Sequence, residues 1–187
     1  MAKDFLFDIG NVILKFDFSP AIQALTKRST AVEGDVLQPV HGIKEQLESG
    51  RMDDETFITE AMRILGFEGS RDEFAKIWCE IFELNPPMAS LIENLSGAGH
   101  RLFLLSNTSG LHIDYILATF PVFSHFRDGV YSHAVRSEKP SPEIYQIAIE
   151  KFQLTPDQTI YIDDLPANVT AGLEAGLETV HYDLNDH

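Results

Sequence analysis

The sequence predicts an α/β protein: a doubly wound, mostly parallel sheet with a smaller, all-helical segment inserted after the first strand. Three observations predict it. Four short apolar stretches, at 4–8 (DFLFD), 101–106 (RLFLLS), 159–163 (TIYID) and 178–182 (ETVHY), read as strands covered on both faces. Helical patterns fall between the later strands, and that alternation makes a parallel sheet. From 18 to 85, by contrast, the periodicity is helical and no strand stands out.

The elements follow in chain order. The first strand, 4–8, ends on Asp8, and Gly10 and Asn11 then break the apolar run. Residues 18–85 carry AIQAL, KEQLESG, DDETFITEAMRILG and RDEFAKIWCEIF. The acids after Met52, Asp53 to Glu55, mark a helix start, because acids favour the positive end of the helix dipole. A helix over 87–98 leads into the strand at 101–106. A weaker fifth strand lies near 129–132 (GVYS). The helix over 141–152 has Ser141 as N-cap, Pro142 in its first turn, and Ile144, Ile147, Ala148 and Phe152 on one stripe. A helix over 165–175 stops at Gly176 and feeds the last strand. The division is therefore 1–17 with 86–187 as the α/β core, and 18–85 as the helical insert.

Composition narrows the function. A chain of 187 residues that is 44% hydrophobic buries a core of its own. A net charge of −15 argues against nucleic acid or an anionic membrane as partner. An anionic substrate would then need a local positive site. The single cysteine, Cys79, permits no disulfide within the chain and sits in the apolar stretch IWCEIF, so it reads as core. No apolar run approaches the ~18 to 20 residues that span a bilayer, and MAKDFLFDIG lacks a signal-peptide core. The expected location is cytoplasmic.

In open α/β sheets ligands bind beyond the carboxyl ends of the strands. That rule gathers residues far apart in sequence: Asp8, then Ser106, Asn107 and Thr108, then Asp163 and Asp164. Lys139, before the helix at 141, joins them. Several carboxylates at one place do not all ionise easily without a cation. A hard ion such as Mg²⁺ takes one or two carboxylates, waters and phosphate oxygens. Ser106 and Asn107 offer a hydroxyl and backbone N–H groups to an anion, and Lys139 adds a point charge. Such parts suit phosphoryl transfer, in which positioning and charge do most of the work, and a carboxylate can serve as covalent nucleophile.

At these residues the sequence resembles the haloacid dehalogenase superfamily of hydrolases. Its four motifs occur in order: FLFDIGN, LFLLSNTSG, SEKPSPEIY and YIDDLPANV. The resemblance covers nearly the whole chain, with 18–85 as the family's small cap on a Rossmann-like core. It is closest to a subgroup with FDxGNV and LSNT motifs, which includes α-D-glucose-1-phosphate phosphatase-like proteins and relatives of the phosphatase domain of soluble epoxide hydrolase. The resemblance implies a Mg²⁺-dependent phosphatase of a small phosphorylated metabolite, such as a sugar phosphate. It implies Asp8 as nucleophile and metal ligand, and the Gly10 carbonyl as a second ligand. Ser106 and the Asn107 backbone would hold the phosphoryl group. Lys139 would pair with Asp8 and phosphate. Asp164 would complete the metal site, with Asp163 as ligand or supporting partner.

One departure matters. Phosphatases of this family usually carry a second aspartate two residues after the nucleophile, as general acid and base; here that place is Gly10. The metal contact survives, being a backbone carbonyl, but the proton donor does not. General acid catalysis typically contributes ~10²–10⁴-fold. Asp17 and His41 are candidate substitutes, placed near or in the insert. A metal-independent 2-haloacid dehalogenase would also tolerate Gly10, although the adjacent Asp163 and Asp164 would repel each other there. A catalytically weak binding protein on the same fold is the third alternative.

Other residues read more plainly. Ser106 taken alone is a helix N-cap. His100, His112, His125 and His133 read as surface or loop residues. Trp78 with Phe74 and Phe82 follows helical spacing and reads as core. Gly50 permits a tight turn in an insert loop where Arg51 either greets an anionic group or is plain surface. Asn168 either orients the acids or lies on the surface.

Overall fold

The computed structural model describes residues 2–31 and 36–184. Its strands are β1 (Asp4–Phe7), β2 (Leu14–Phe16), β3 (Phe82–Leu84), β4 (Arg101–Ser106), β5 (Asp128–Tyr131), β6 (Thr159–Asp163) and β7 (Glu178–His181). The helices are α1 (Ser19–Thr26), α2 (His41–Glu48), α3 (Asp54–Leu65), α4 (Arg71–Cys79), α5 (Pro86–Gly97), α6 (Gly110–Thr119), α7 (Ser132–Val135), α8 (Pro142–Phe152) and α9 (Pro166–Glu174). Five strands form a parallel sheet in the order β5-β4-β1-β6-β7. The weak strand signal at 129–132 corresponds to β5, of the same length and shifted one residue toward the N-terminus.

Side chains alternate across β1, and so do the layers that cover the sheet. Phe5, Phe7, Leu102, Leu104 and Ile162 pack against Met88 and Ile92 of α5 and Ile113 and Ile116 of α6. Leu6, Phe103, Leu105, Val130 and Tyr161 pack on the other face against Ile144, Tyr145 and Ala148 of α8. Covering both faces explains why β1, β4 and β6 read as unbroken apolar runs, whereas the edge strand β7, expected to be covered likewise, is mostly exposed. Gly172 lets α9 lie close to the sheet: a β-carbon there would stand 2.5 Å from the Tyr161 ring.

The insert has its own core, in which Leu25, Leu47, Phe57, Leu65, Phe74 and Trp78 are almost wholly buried. Asp53 caps α3, accepting from Thr56 N–H at 2.7 Å. Ser70 and Glu73 form a reciprocal capping box on α4.

Three expectations change. Residues 18–85 are not free of strand: β3 pairs antiparallel with β2, setting Phe16 opposite Phe82. Each has three residues, too few for a period to show. Phe82 therefore leaves the helical stripe of Phe74 and Trp78 and lies in the two-stranded ribbon joining insert to sheet. Ser141 stands at the N-cap of α8 but makes no side-chain capping bond.

Candidate active site

The register decides what meets at the carboxyl end of the sheet. Phe7 pairs with Leu104 on one side and Ile162 on the other. The residues just beyond, Asp8, Ser106 and Asp163, therefore come together. Asp8 N–H continues the ladder, donating to the Ile162 carbonyl at 2.9 Å. A cleft of about 210 Å³ opens there, lined by Asp8, Gly10, Ser106, Asn107, Lys139 and Asp164 among others. Asp163 stands behind it, fully buried.

Lys139 ties the acids together. Its Nζ lies 2.9 Å from Asp8 Oδ1 and 2.6 Å from Asp163 Oδ2, with only 1% of the side chain exposed. The loop carrying it is clamped by Asn107, whose Nδ2 donates to the Lys139 carbonyl at 2.9 Å while Oδ1 accepts from Lys139 N–H at 2.8 Å. Asn107 thus joins the end of β4 to the lysine loop through its side chain.

Asp163 is the structural hub. Besides Lys139, it accepts from Tyr161 O–H, from Leu165 N–H at 2.9 Å, and from Asn168 Nδ2 at 3.0 Å. Asn168 is buried and orients this acid, which settles the alternative left open by the sequence. Its own carbonyl accepts from Tyr145 O–H at 3.0 Å. Asp164 is about half buried and accepts from Asn11 Nδ2 at 3.1 Å. Asn11 adopts a left-handed φ of 54°, a conformation asparagine tolerates better than most residues.

Burial pushes the Asp8 carboxyl up to about 6, with the Lys139 charge drawing it down and Asp163 raising it again. Burial likewise raises Asp164, against its bond from Asn11. Oxygens of Asp8, Asp163 and Asp164 all lie within 4.8 Å of one another. Three carboxylates facing one lysine leave negative charge over, and all the donors are hard oxygens. That set fits a divalent ion of the Mg²⁺ kind.

Neither candidate proton donor reaches the cleft. Asp17 is exposed and accepts from Ser19 N–H at 2.8 Å. His41 is exposed beside Glu45, 3.6 Å away. Ser106 is not a helix cap: three residues of loop intervene, and Ser109 caps α6 instead, accepting from His112 N–H at 3.2 Å. Arg51 is exposed and lines a separate cavity with His133 and Arg136.

His112 is a second correction. It is buried, stacked 6.2 Å from the Trp78 ring, with Nε2 3.2 Å from the Trp78 carbonyl. Burial holds it at about 4, so it is neutral at pH 7. An isolated histidine carries no sequence signal that an insert will close over it. Tyr161 also escaped attention, yet its spacing from Asp163 by two in a strand places both on one face.

A family model described as haloacid dehalogenase-like hydrolase matches residues 3–176. The chain is 30% identical over 190 residues to the D-ribitol-5-phosphate phosphatase of Bacteroides thetaiotaomicron, covering 96% of this chain and 91% of that one. It is 25% identical over 118 residues to a phosphorylated carbohydrates phosphatase of Thermotoga maritima, covering 62% of this chain and 55% of that one. Among solved structures, it superimposes on a HAD family enzyme of Bacteroides thetaiotaomicron in complex with magnesium and inorganic phosphate. That match has a TM-score of 0.86 at 23% identity, covering 100% of this chain and 97% of the other. Among the described residues, no helix is long and apolar enough to cross a membrane.

Proposed function

The chain belongs to the haloacid dehalogenase-like hydrolases, and from that premise we propose that it is a Mg²⁺-dependent phosphatase of small phosphorylated carbohydrates. The observation that carries this reading is the contact of Lys139 with both Asp8 and Asp163 at the mouth of the sheet, beside Ser106 and Asn107. The two phosphatase relatives supply the substrate class.

In this reading Asp8 attacks phosphorus. A bond forms from its carboxylate oxygen to phosphorus, and the ester oxygen leaves with the electron pair and takes a proton from solvent. Water then hydrolyses the aspartyl-phosphate and frees Asp8. Lys139 holds Asp8 in place and offsets charge on the phosphoryl oxygens. Ser106 and the Asn107 backbone receive the phosphoryl group, while the Asn107 side chain fixes the lysine loop.

Asp8, the Gly10 carbonyl and Asp164 would hold the ion. Asp163 is close enough to contribute, but its oxygens already accept four donors, which suits it to holding Lys139. When bound, Mg²⁺ supplies positive charge against the phosphate. Three acids within 4.8 Å of one another weigh against a metal-free dehalogenase.

The test is phosphate release from a panel of sugar and polyol phosphates, with Mg²⁺ and with chelator, for the chain and for Asp8→Asn. Turnover that requires both Mg²⁺ and Asp8 is expected. Turnover that survives Asp8→Asn would overturn the assignment of the nucleophile.

A further inference from the structure

Beyond Ser106 and Asn107 a second cavity of about 120 Å³ continues from Gly10 upward between sheet and insert. It shares Gly10, Phe16, Ser106 and Asn107 with the cleft, so it lies where the leaving group of a bound phosphate ester would project. Four aromatic rings stand in its wall: Phe16, Phe18, Phe82 and His112. The remaining charged wall is one ion pair on the insert. Lys44 and Glu48 lie one turn apart on α2, with Nζ 2.7 Å from Oε1 and side chains only 29% and 24% exposed.

A helix-surface pair of this spacing is worth only ~0.3–0.5 kcal/mol. That does not explain why two charges turn into a chamber rather than to bulk water. The pair is also held in place. Ser132 O–H donates to the Glu48 carbonyl at 2.6 Å, anchoring the end of α2 to the sheet domain. Lys44 Nζ stands 6.0 Å from the centre of the Phe18 ring.

We propose, on the phosphatase reading above, that Lys44 and Glu48 determine specificity by hydrogen-bonding the hydroxyls of a short, uncharged, polyhydroxylated leaving group. An ammonium beside a carboxylate presents donors and acceptors together, and a chain of hydroxyls needs both. Aromatic walls cover the C–H faces. The pair is neutral overall. A leaving group with its own carboxylate therefore meets the Glu48 carboxylate and an already engaged lysine. An alkyl leaving group strips water from both charges and returns no hydrogen bond.

The experiment compares kcat and KM on D-ribitol 5-phosphate, phosphoglycolate and p-nitrophenyl phosphate, in Mg²⁺, for the chain, Lys44→Met and Glu48→Gln. The unaltered chain should prefer the polyol phosphate to phosphoglycolate. Each variant should lower the ratio of polyol to aryl phosphate kcat/KM by ~10–100-fold, mostly through KM, since unpairing a hydroxyl site carries discrimination of that order or more. Glu48→Gln should also improve phosphoglycolate relative to the polyol phosphate. Two results would overturn the inference while leaving the phosphatase reading intact: a polyol-to-aryl ratio unmoved by both variants, or a preference for phosphoglycolate in the unaltered chain. Failure of the unaltered chain on all three esters would overturn both.

Discussion

The ring of Phe16 covers Gly10: a β-carbon added to Gly10 would lie 3.3 Å from Phe16 Cε1. The family resemblance implies a proton-donating aspartate at position 10 in phosphatases of this kind, and Phe16 occupies the side of the cleft that such an acid would face. Phe16 is 45% exposed. Gly10→Asp combined with Phe16→Leu should therefore raise turnover of alkyl phosphates, toward the ~10²-fold that a general acid typically contributes. The gain on p-nitrophenyl phosphate should be much smaller, because that leaving group needs little protonation. Equal gains on both esters would refute a proton-transfer role for this position.

The Asp8 carboxyl makes the metal-free protein pH-sensitive. Its folded value, about 6, lies above the ordinary 3.8, chiefly through burial. The fold thus favours the protonated form. That stability is complete below about 3.8 and is lost as pH rises through about 6. In chelator, Asp8→Asn should melt progressively higher than the unaltered chain between pH 4 and pH 7, with the gap levelling off above that. A gap independent of pH in thermal melts would mean that burial does not raise this group.

Lys139 balances two buried carboxylates, so its removal should be costly. Lys139→Met should abolish phosphate release and lose ~3–5 kcal/mol in urea unfolding at pH 7, the usual penalty for leaving buried charge unpaired. The loss should shrink toward pH 4 as Asp8 takes up a proton. A loss of the same size at both values would point to packing rather than charge.

Asn107 should separate positioning from stability. Its two bonds to the Lys139 backbone are worth ~1 kcal/mol each. Asn107→Ala should reduce kcat at least tenfold more than can be recovered by raising substrate, with KM little altered. A rise in KM at constant kcat would assign Asn107 to substrate binding alone.

Gly50 brings the insert close against the backbone of α7. Its φ is +70°, and a β-carbon would fall 2.0 Å from the His133 carbonyl oxygen. Gly50→Ala should push the insert away from α7 and disturb the Ser132 to Glu48 bond two residues off. The expected readings are a lowered melting temperature and a raised KM for polyol phosphates. An unchanged KM would show that closure tolerates the displacement.

Much of this site is legible along the chain. Asp8, Ser106 and Asp163 each end a strand whose apolar run is visible, and the rule for open sheets places them together. Lys139 and Gly10 are recognisable from their motifs. The ribbon of β2 and β3 is not, because three residues show no period. His112 and the facing of Lys44 and Glu48 are equally hidden, since an exposed-looking helix pattern does not say which side another domain will cover.

By itself the sequence determined the parallel sheet with its helices and the polar groups at the strand ends. Those follow from short-range patterns: burial on two faces, helix period, and polar groups where a strand stops. Only the tertiary structure decided that Asn107 clamps Lys139, that Asn168 and Tyr161 hold Asp163, that Asp17 and His41 stay outside, and that Lys44 and Glu48 line the cavity beside Ser106 and Asn107. Each of these depends on segments tens of residues apart meeting at hydrogen-bond distance. The register of the sheet and the docking of the insert set those meetings, and no local pattern encodes them.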